Sequence, residues 1–187
     1  MAGLIVLLPL LFLLAIWVKV DSQGPVFFRQ VRVGRFGEPF KIHKFRTMRC
    51  NTEPGSLLTV GKDSRVTFSG RFLRKYKLDE IPQLIDVVMG NMSLVGPRPE
   101  VPELLAYYDE DVRTKILSVR PGITDRASIQ MIDENDILAE FSDPEAGYVE
   151  SILPIKQRFY LNYVENNSLK DDIVIIALTI RKIILRK

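Results

Sequence analysis

Apolar and polar positions divide this chain sharply. From Met1 to Val18 no side chain is charged, and Lys19 is the first that is. The segment is rich in leucine and shows no polar face, which argues for membrane insertion over packing into a soluble core. Its eighteen residues would reach only about 27 Å as a helix, barely a bilayer core. A cleavable leader would begin basic and end in small residues, whereas this one begins Met1-Ala2-Gly3-Leu4 and ends Ala15-Ile16-Trp17-Val18. Pro9 removes a backbone donor and should bend the helix, which fits both a spanning segment and one that dips in and returns. The cations from Lys19 onward favour the cytoplasmic side for the rest of the chain, with Trp17 and Lys19 as interfacial anchors.

Ser22-Gln23-Gly24-Pro25 breaks this helix. Residues 26–48 then alternate apolar and polar around Gly34-Arg35-Phe36-Gly37-Glu38-Pro39, the pattern of a β-hairpin. A loop is expected over 50–64. Helices are expected over 66–77, with Phe68, Phe72 and Leu73 on one side, and over 79–89, stopped by Gly90-Asn91. Further helices are expected over 103–119, over 151–166 despite Pro154, and over 169–187. The last of these, with Phe159, Tyr160 and Tyr163, suits either the membrane interface or ordinary core packing.

Charge sharpens the picture because of where it lies. The net charge is only +3, yet residues 29–77 hold thirteen basic side chains against three acids. Residues 100–150 hold thirteen acids against four basic side chains. The first stretch suits anionic headgroups, phosphorylated substrates or nucleic acid, although most of its individual cations read as solvated surface. Cys50 and His43 are the only residues of their kinds. That excludes an intrachain disulfide and multi-histidine zinc sites, and leaves a Cys50–His43 pair with nothing to place it together.

Candidate chemistry centres on Asp79-Glu80, shortly before Gly96-Pro97-Arg98-Pro99. The plain structural reading makes Asp79 the N-cap of the helix that follows, with Pro82 tolerated in its first turn. The functional reading uses the same geometry: two carboxylates over a helix start that favours phosphate, one as nucleophile and the other on a hard divalent cation. Both stay open. A carboxylate attacking a diphosphate needs cations around it, and the candidates are Lys44, Arg46, Arg74, Arg98 and Arg120. Arg98 is the best placed, since flanking prolines reduce the cost of fixing its fork. For Lys44 and Arg46 the plain reading is the solvent face of the hairpin. Several look-alikes fail. Gly55 to Asp63 has the wrong spacing for a P-loop, Asp133-Glu134-Asn135-Asp136 lacks a calcium loop's glycine and closing Glu, and Asp109-Glu110-Asp111 reads as an exposed acidic helix.

The chain resembles the monotopic phosphoglycosyl transferases, a family of bacterial sugar transferases. The resemblance rests on Asp21-Ser22-x-Gly24-Pro25-Val26-Phe27-Phe28-Arg29-Gln30, Arg32-Val33-Gly34-Arg35, Phe40-Lys41-Ile42-His43-Lys44-Phe45-Arg46-Thr47-Met48, Leu78-Asp79-Glu80-Ile81-Pro82-Gln83-Leu84, 90–99 and Val119-Arg120-Pro121-Gly122-Ile123-Thr124. It implies transfer of a sugar-1-phosphate from a UDP-sugar to polyprenol (undecaprenyl) phosphate with Mg²⁺, initiating assembly of a surface glycan or glycoconjugate. Asp79 is the implied nucleophile, expelling UMP to leave an aspartyl-phosphosugar. Glu80 is the implied metal ligand, and Lys44, Arg74, Arg98 and Arg120 the implied substrate contacts. The implied fold is α+β and mostly helical: residues 1–19 a re-entrant membrane helix turning at Pro9, residues 20–187 a compact catalytic domain with a β-hairpin and interfacial amphipathic helices. The implied location is the cytoplasmic face of the bacterial inner membrane. The partners would be donor, acceptor and membrane lipid, not nucleic acid, with a homodimer open as an assembly state. The sequence departs from the family's pattern at Leu8-Pro9, where Ser-Pro is usual, and in showing no basic amphipathic lead before the apolar segment, which a truncated start would explain. It also departs over 125–132, where relatives carry Gly-aromatic-Ala-Gln and a nearby Arg; if that stretch reads the sugar, the donor cannot be carried over. Two rivals stand beside this reading: a metal-dependent glycosyltransferase using Asp109 and Asp111, and a non-enzymatic anchored module binding anionic lipid or nucleic acid through 29–77.

Overall fold

The computed structural model describes residues 2–50, 63–131 and 134–185. Most of the expected 50–64 loop, including Gly55 and Gly61, lies outside the described residues, and so does Asp133. The first helix, α1 (Ala2–Asp21), runs with Pro9 inside it. Among the described residues no helix is long and apolar enough to cross a membrane. Leu14 and Val18 on one side of α1 are buried against Phe45 and Leu73, while Ile5, Val6, Phe12 and Leu13 are exposed.

The C-terminal end of α1 is tied down by polar contacts. Arg46 Nη2 donates to the carbonyls of Val18 (3.2 Å) and Ser22 (2.6 Å), accounting for acceptors that a helix end leaves free. Asp21 accepts from the Ser69 N–H (2.9 Å) and hydroxyl (2.7 Å). Arg46 is therefore not on a solvent face, as the hairpin pattern suggested, but buried in a structural joint.

The hairpin forms as expected, as two nested ladders. β1 (Phe27–Phe28) pairs antiparallel with β4 (Lys44–Phe45), and β2 (Val31–Val33) with β3 (Pro39–Lys41). The next helix, α2 (Phe68–Lys75), is capped by the Thr67 hydroxyl on Gly70 N. Phe68 and Phe72 lean on Trp17 of α1, and Leu73 is fully buried. A Cβ on Gly70 would collide with the Thr47 backbone. Backbone cannot move aside as a side-chain tip can, so Gly70→Ala is expected to cost about 1–3 kcal/mol and lower the Tm measurably in a thermal melt.

The expected 79–89 helix is shorter and starts later. A 3₁₀ turn (Leu78–Glu80) precedes α3 (Gln83–Val88), and Gly90 (φ 83°) closes it in the left-handed conformation. Asp79 is thus inside a turn and caps nothing. β5 (Ser93–Val95) follows. The expected 103–119 helix is split into a 3₁₀ segment (Leu104–Tyr107) and α4 (Glu110–Ile116). Tyr108 between them is extended and buried with its hydroxyl 3.4 Å from Glu100, which a continuous helix could not provide.

β6 (Gly122–Thr124) pairs parallel with β5. Short helices α5 (Arg126–Gln130), α6 (Glu134–Leu138) and α7 (Pro144–Gly147) lead through a π-turn (Tyr148–Ile152) into α8 (Leu153–Asn166) and α9 (Leu169–Leu185). The larger core joins Val33, Val101, Leu104, Ile116, Leu153 and Tyr160. α9 is fastened to the parallel pair by Thr179–Thr124 (2.7 Å), and Ile175 is the one fully buried side chain among its described residues. The molecule is mixed helix and sheet, as expected.

Candidate active site

Three segments converge on Asp79 and Glu80. The turn that carries the pair follows Lys77, a non-glycine residue at φ 54°. Such a backbone costs about 1–3 kcal/mol and persists only where its surroundings over-determine it. Here Leu78 packs towards the small core of Leu14, Val18, Phe45 and Leu73, which draws the turn inward. Asp79 and Glu80 end up 2% and 6% exposed.

The second segment is β4, which presents the Lys44 ammonium 3.0 Å from Asp79 Oδ2 and 3.1 Å from Glu80 Oε1. The third is the loop after β5. Gly96 there packs so closely on the 120–122 backbone that a side chain would clash. Gly122 N donates to the Pro97 carbonyl (2.9 Å), and Arg32 Nη1 to that of Pro99 (3.1 Å). Held at both ends, Arg98 forks onto Glu80, Nη1 to Oε2 at 3.1 Å and Nη2 to Oε1 at 2.5 Å.

The electrostatics follow from this. Burial alone would raise the Glu80 carboxyl, but Arg98, Lys44 and Lys77 outweigh it and hold it well below the ordinary carboxylate range. Glu80 in turn pushes the Arg98 guanidinium upward against its own burial. Lys77 and Arg74 are drawn down by burial, with Glu80 and Asp79 respectively the acids that oppose this most. Asp79 differs in one respect: its Oδ1 is buried and has no hydrogen-bond partner. A carboxylate oxygen kept dry, with its twin neutralised by an ammonium, is suited to attack an electrophile or to bind a cation.

Lys44 and Arg98 are thus brought to the pair, while Arg74 feels the Asp79 charge from further off and donates its Nε to Thr47 Oγ1 (2.9 Å). Arg46 is diverted to α1. Arg120 is exposed, on the loop whose backbone abuts Gly96, and makes no side-chain hydrogen bond or ion pair among the described residues. Lys77 was not legible as a site cation, because its left-handed backbone depends on the packing around it. Gln83, buried with Nε2 unpartnered, was likewise missed. Asp109 and Asp111 are both exposed at the start of α4, and no cluster of three potential metal ligands occurs among the described residues.

A family model described as bacterial sugar transferase matches residues 1–186. The chain belongs to this family. It is 36% identical over 179 residues to the UDP-N-acetylgalactosamine-undecaprenyl-phosphate N-acetylgalactosaminephosphotransferase of Aeromonas hydrophila, covering 94% of this chain and 39% of the relative. It is 39% identical over 189 residues to the UDP-glucose:undecaprenyl-phosphate glucose-1-phosphate transferase of Escherichia coli K12, covering 97% of this chain and 38% of the relative. An uncharacterized sugar transferase of Bacillus subtilis is 38% identical over 178 residues, 94% of this chain and 77% of the relative. The chain therefore spans well under half the length of the first two.

Proposed function

We propose that this chain transfers a sugar-1-phosphate from a UDP-sugar to undecaprenyl phosphate, or a similar polyprenol phosphate, by way of a covalent aspartyl-phosphosugar. The observation that carries the reading is the unpartnered, buried Oδ1 of Asp79 beside a carboxylate, Glu80, already neutralised by Arg98 and Lys44. The relatives' names, which specify UDP-sugars and undecaprenyl phosphate, support the substrate classes. In the first step Asp79 Oδ1 attacks the phosphorus that bears the sugar. The phosphoanhydride bond breaks and UMP leaves with the bonding electrons. In the second step an oxygen of the lipid phosphate attacks the same phosphorus, which returns the carboxylate to Asp79 and yields a sugar on a polyprenyl diphosphate. Lys44 and Arg98, with Arg74 near by, stabilise the charge that develops on the phosphoryl oxygens, and Arg120, exposed on the loop that abuts Gly96, would add to them once substrate is bound.

The donor set fits Mg²⁺, which binds through one or two carboxylates and leaves its other positions to water and substrate phosphate. Glu80, with Asp79 beside it, would hold the ion, and the chemistry it supplies is neutralisation of the diphosphate. Exposed apolar side chains of α1 such as Val6, Phe12 and Leu13 support a re-entrant anchor, and the exposed Ile173, Ile180 and Ile184 of α9 support an interfacial helix. The catalytic domain would then face the cytoplasm at the bacterial inner membrane.

The test is product analysis. Purified chain with undecaprenyl phosphate, Mg²⁺ and a panel of UDP-sugars is expected to release UMP with at least one donor. Release of UDP instead would point to a glycosyltransferase, and no release with any donor would sink the reading.

A further inference from the structure

Lys44 reaches Asp79 and Glu80 only while β4 keeps its register, and β4 is a two-residue strand. A ribbon that short is marginal on its own, and a slip of one residue would turn Lys44 to the opposite face. Phe45, stacked on Phe27 with ring centroids 5.5 Å apart, holds the strand down, but apolar contact has little directionality. The directional contact comes from His43. Its main-chain N–H donates to Asp86 Oδ2 at 2.8 Å, and its ring Nδ1 lies 2.7 Å from Asp86 Oδ1. Asp86 is fully buried in α3, the helix that follows the acid pair.

On the other side of the ring, Arg29 Nη1 lies 2.5 Å from Nε2, while Nη2 donates to the Lys41 carbonyl at 2.9 Å. A guanidinium only donates, so Nε2 must accept and the ring proton must sit on Nδ1, where the carboxylate receives it. Arg29, His43 and Asp86 form one line of hydrogen bonds in which every donor meets an acceptor. Both oxygens of Asp86 are used, so an amide in its place cannot satisfy both donors.

We propose that Asp86 and His43 are positioning residues of the transfer reaction: they clamp β4 to α3 and so hold the Lys44 ammonium against Asp79 and Glu80. The proposal rests on the phosphosugar-transfer reading for its kinetic consequence but not for its geometry, and the two can be tested apart. His43 is the only histidine, so its imidazole nitrogens give unambiguous nitrogen-15 signals in the full chain. A protonated Nδ1 with a bare Nε2 is expected. A proton on Nε2 would overturn the clamp whatever the activity.

In the UMP assay, Asp86→Asn is expected to lower kcat roughly ten- to a hundredfold, the usual cost of losing a group that orients an active-site side chain. In a Lys44→Met background the same change should cost nothing further, because its effect travels through Lys44. His43→Asn, which can still donate to Asp86, should retain more activity than His43→Phe. Equal losses from Asp86→Asn in both backgrounds would show that it acts on the fold at large and would overturn the proposal. Absence of UMP release by the unaltered chain would instead defeat the reaction reading, leaving the tautomer to decide the clamp.

Discussion

Replacing Asp79 with Asn is expected to leave a folded chain whose UMP release falls by at least about 10³-fold, the scale on which nucleophile removal acts in covalent catalysis. The substitution is nearly isosteric, and the oxygen nearest Lys44 can be kept, so the ion-pair cluster around Glu80 should persist. What disappears is the second anionic oxygen, the buried Oδ1 with no partner. The informative comparison is single-turnover: the unaltered protein, given UDP-sugar without lipid acceptor, should release about one UMP per chain and carry a phosphosugar adduct visible as a mass increase. Asp79→Asn should show neither. Ordinary turnover by the Asp79→Asn variant would exclude the covalent route while leaving the substrate classes untouched.

Arg98→Ala is expected to destabilise the protein as well as inactivate it. Glu80 is 6% exposed and accepts both prongs of the Arg98 fork, so truncation leaves a buried carboxylate with Lys44 as its remaining close ion-pair partner. Removing one member of such a pair typically costs about 3–5 kcal/mol. Arg98→Lys should recover part of the stability but not the fork. The same pair sets a pH dependence. Because the folded-state value of Glu80 is lower than the unfolded one, its contribution is complete above the ordinary Glu range, about pH 4.3, and is lost as pH falls from there towards the folded value. Thermal melts across acid pH should therefore show a decline below about pH 4.5 that is shallower in Glu80→Gln. An identical decline in both proteins would refute the assignment of this pair as a source of acid sensitivity.

Legibility followed the range of the interactions involved. The hairpin over 26–48, α2, α8, α9 and the end of α3 were readable because alternation, apolar periodicity and, for α3, the glycine at position 90 are local signals. β5 and β6 were not. Each is three residues long, and they are joined as a parallel pair across more than twenty intervening residues, a contact with no local signature. The 103–119 segment has helical periodicity, but a buried Tyr108 bound to Glu100 breaks it. At the site, the acid pair and Arg98 stood out by residue type and by the prolines beside them. Arg46 and Lys44, two residues apart on the hairpin's last limb, looked equivalent, yet one closes the end of α1 and the other meets the acids.

The sequence by itself determined the chemistry available to this protein: adjacent carboxylates, a surplus of cations before them, an apolar first segment and a proline-bracketed arginine. Tertiary structure alone decided which cations serve the acids. Lys44 and Arg98 come from points in the chain far from the acids, and only the packing of the hairpin, the Leu78–Glu80 turn and the β5–β6 pair brings them there beside the nearby Arg74 and Lys77. It also turned Asp79 from an expected helix cap into a buried carboxylate with one unpartnered oxygen. The physical reason is distance. Residue type fixes a charge, but electrostatic stabilisation and desolvation depend on separations of a few ångströms, which the fold sets.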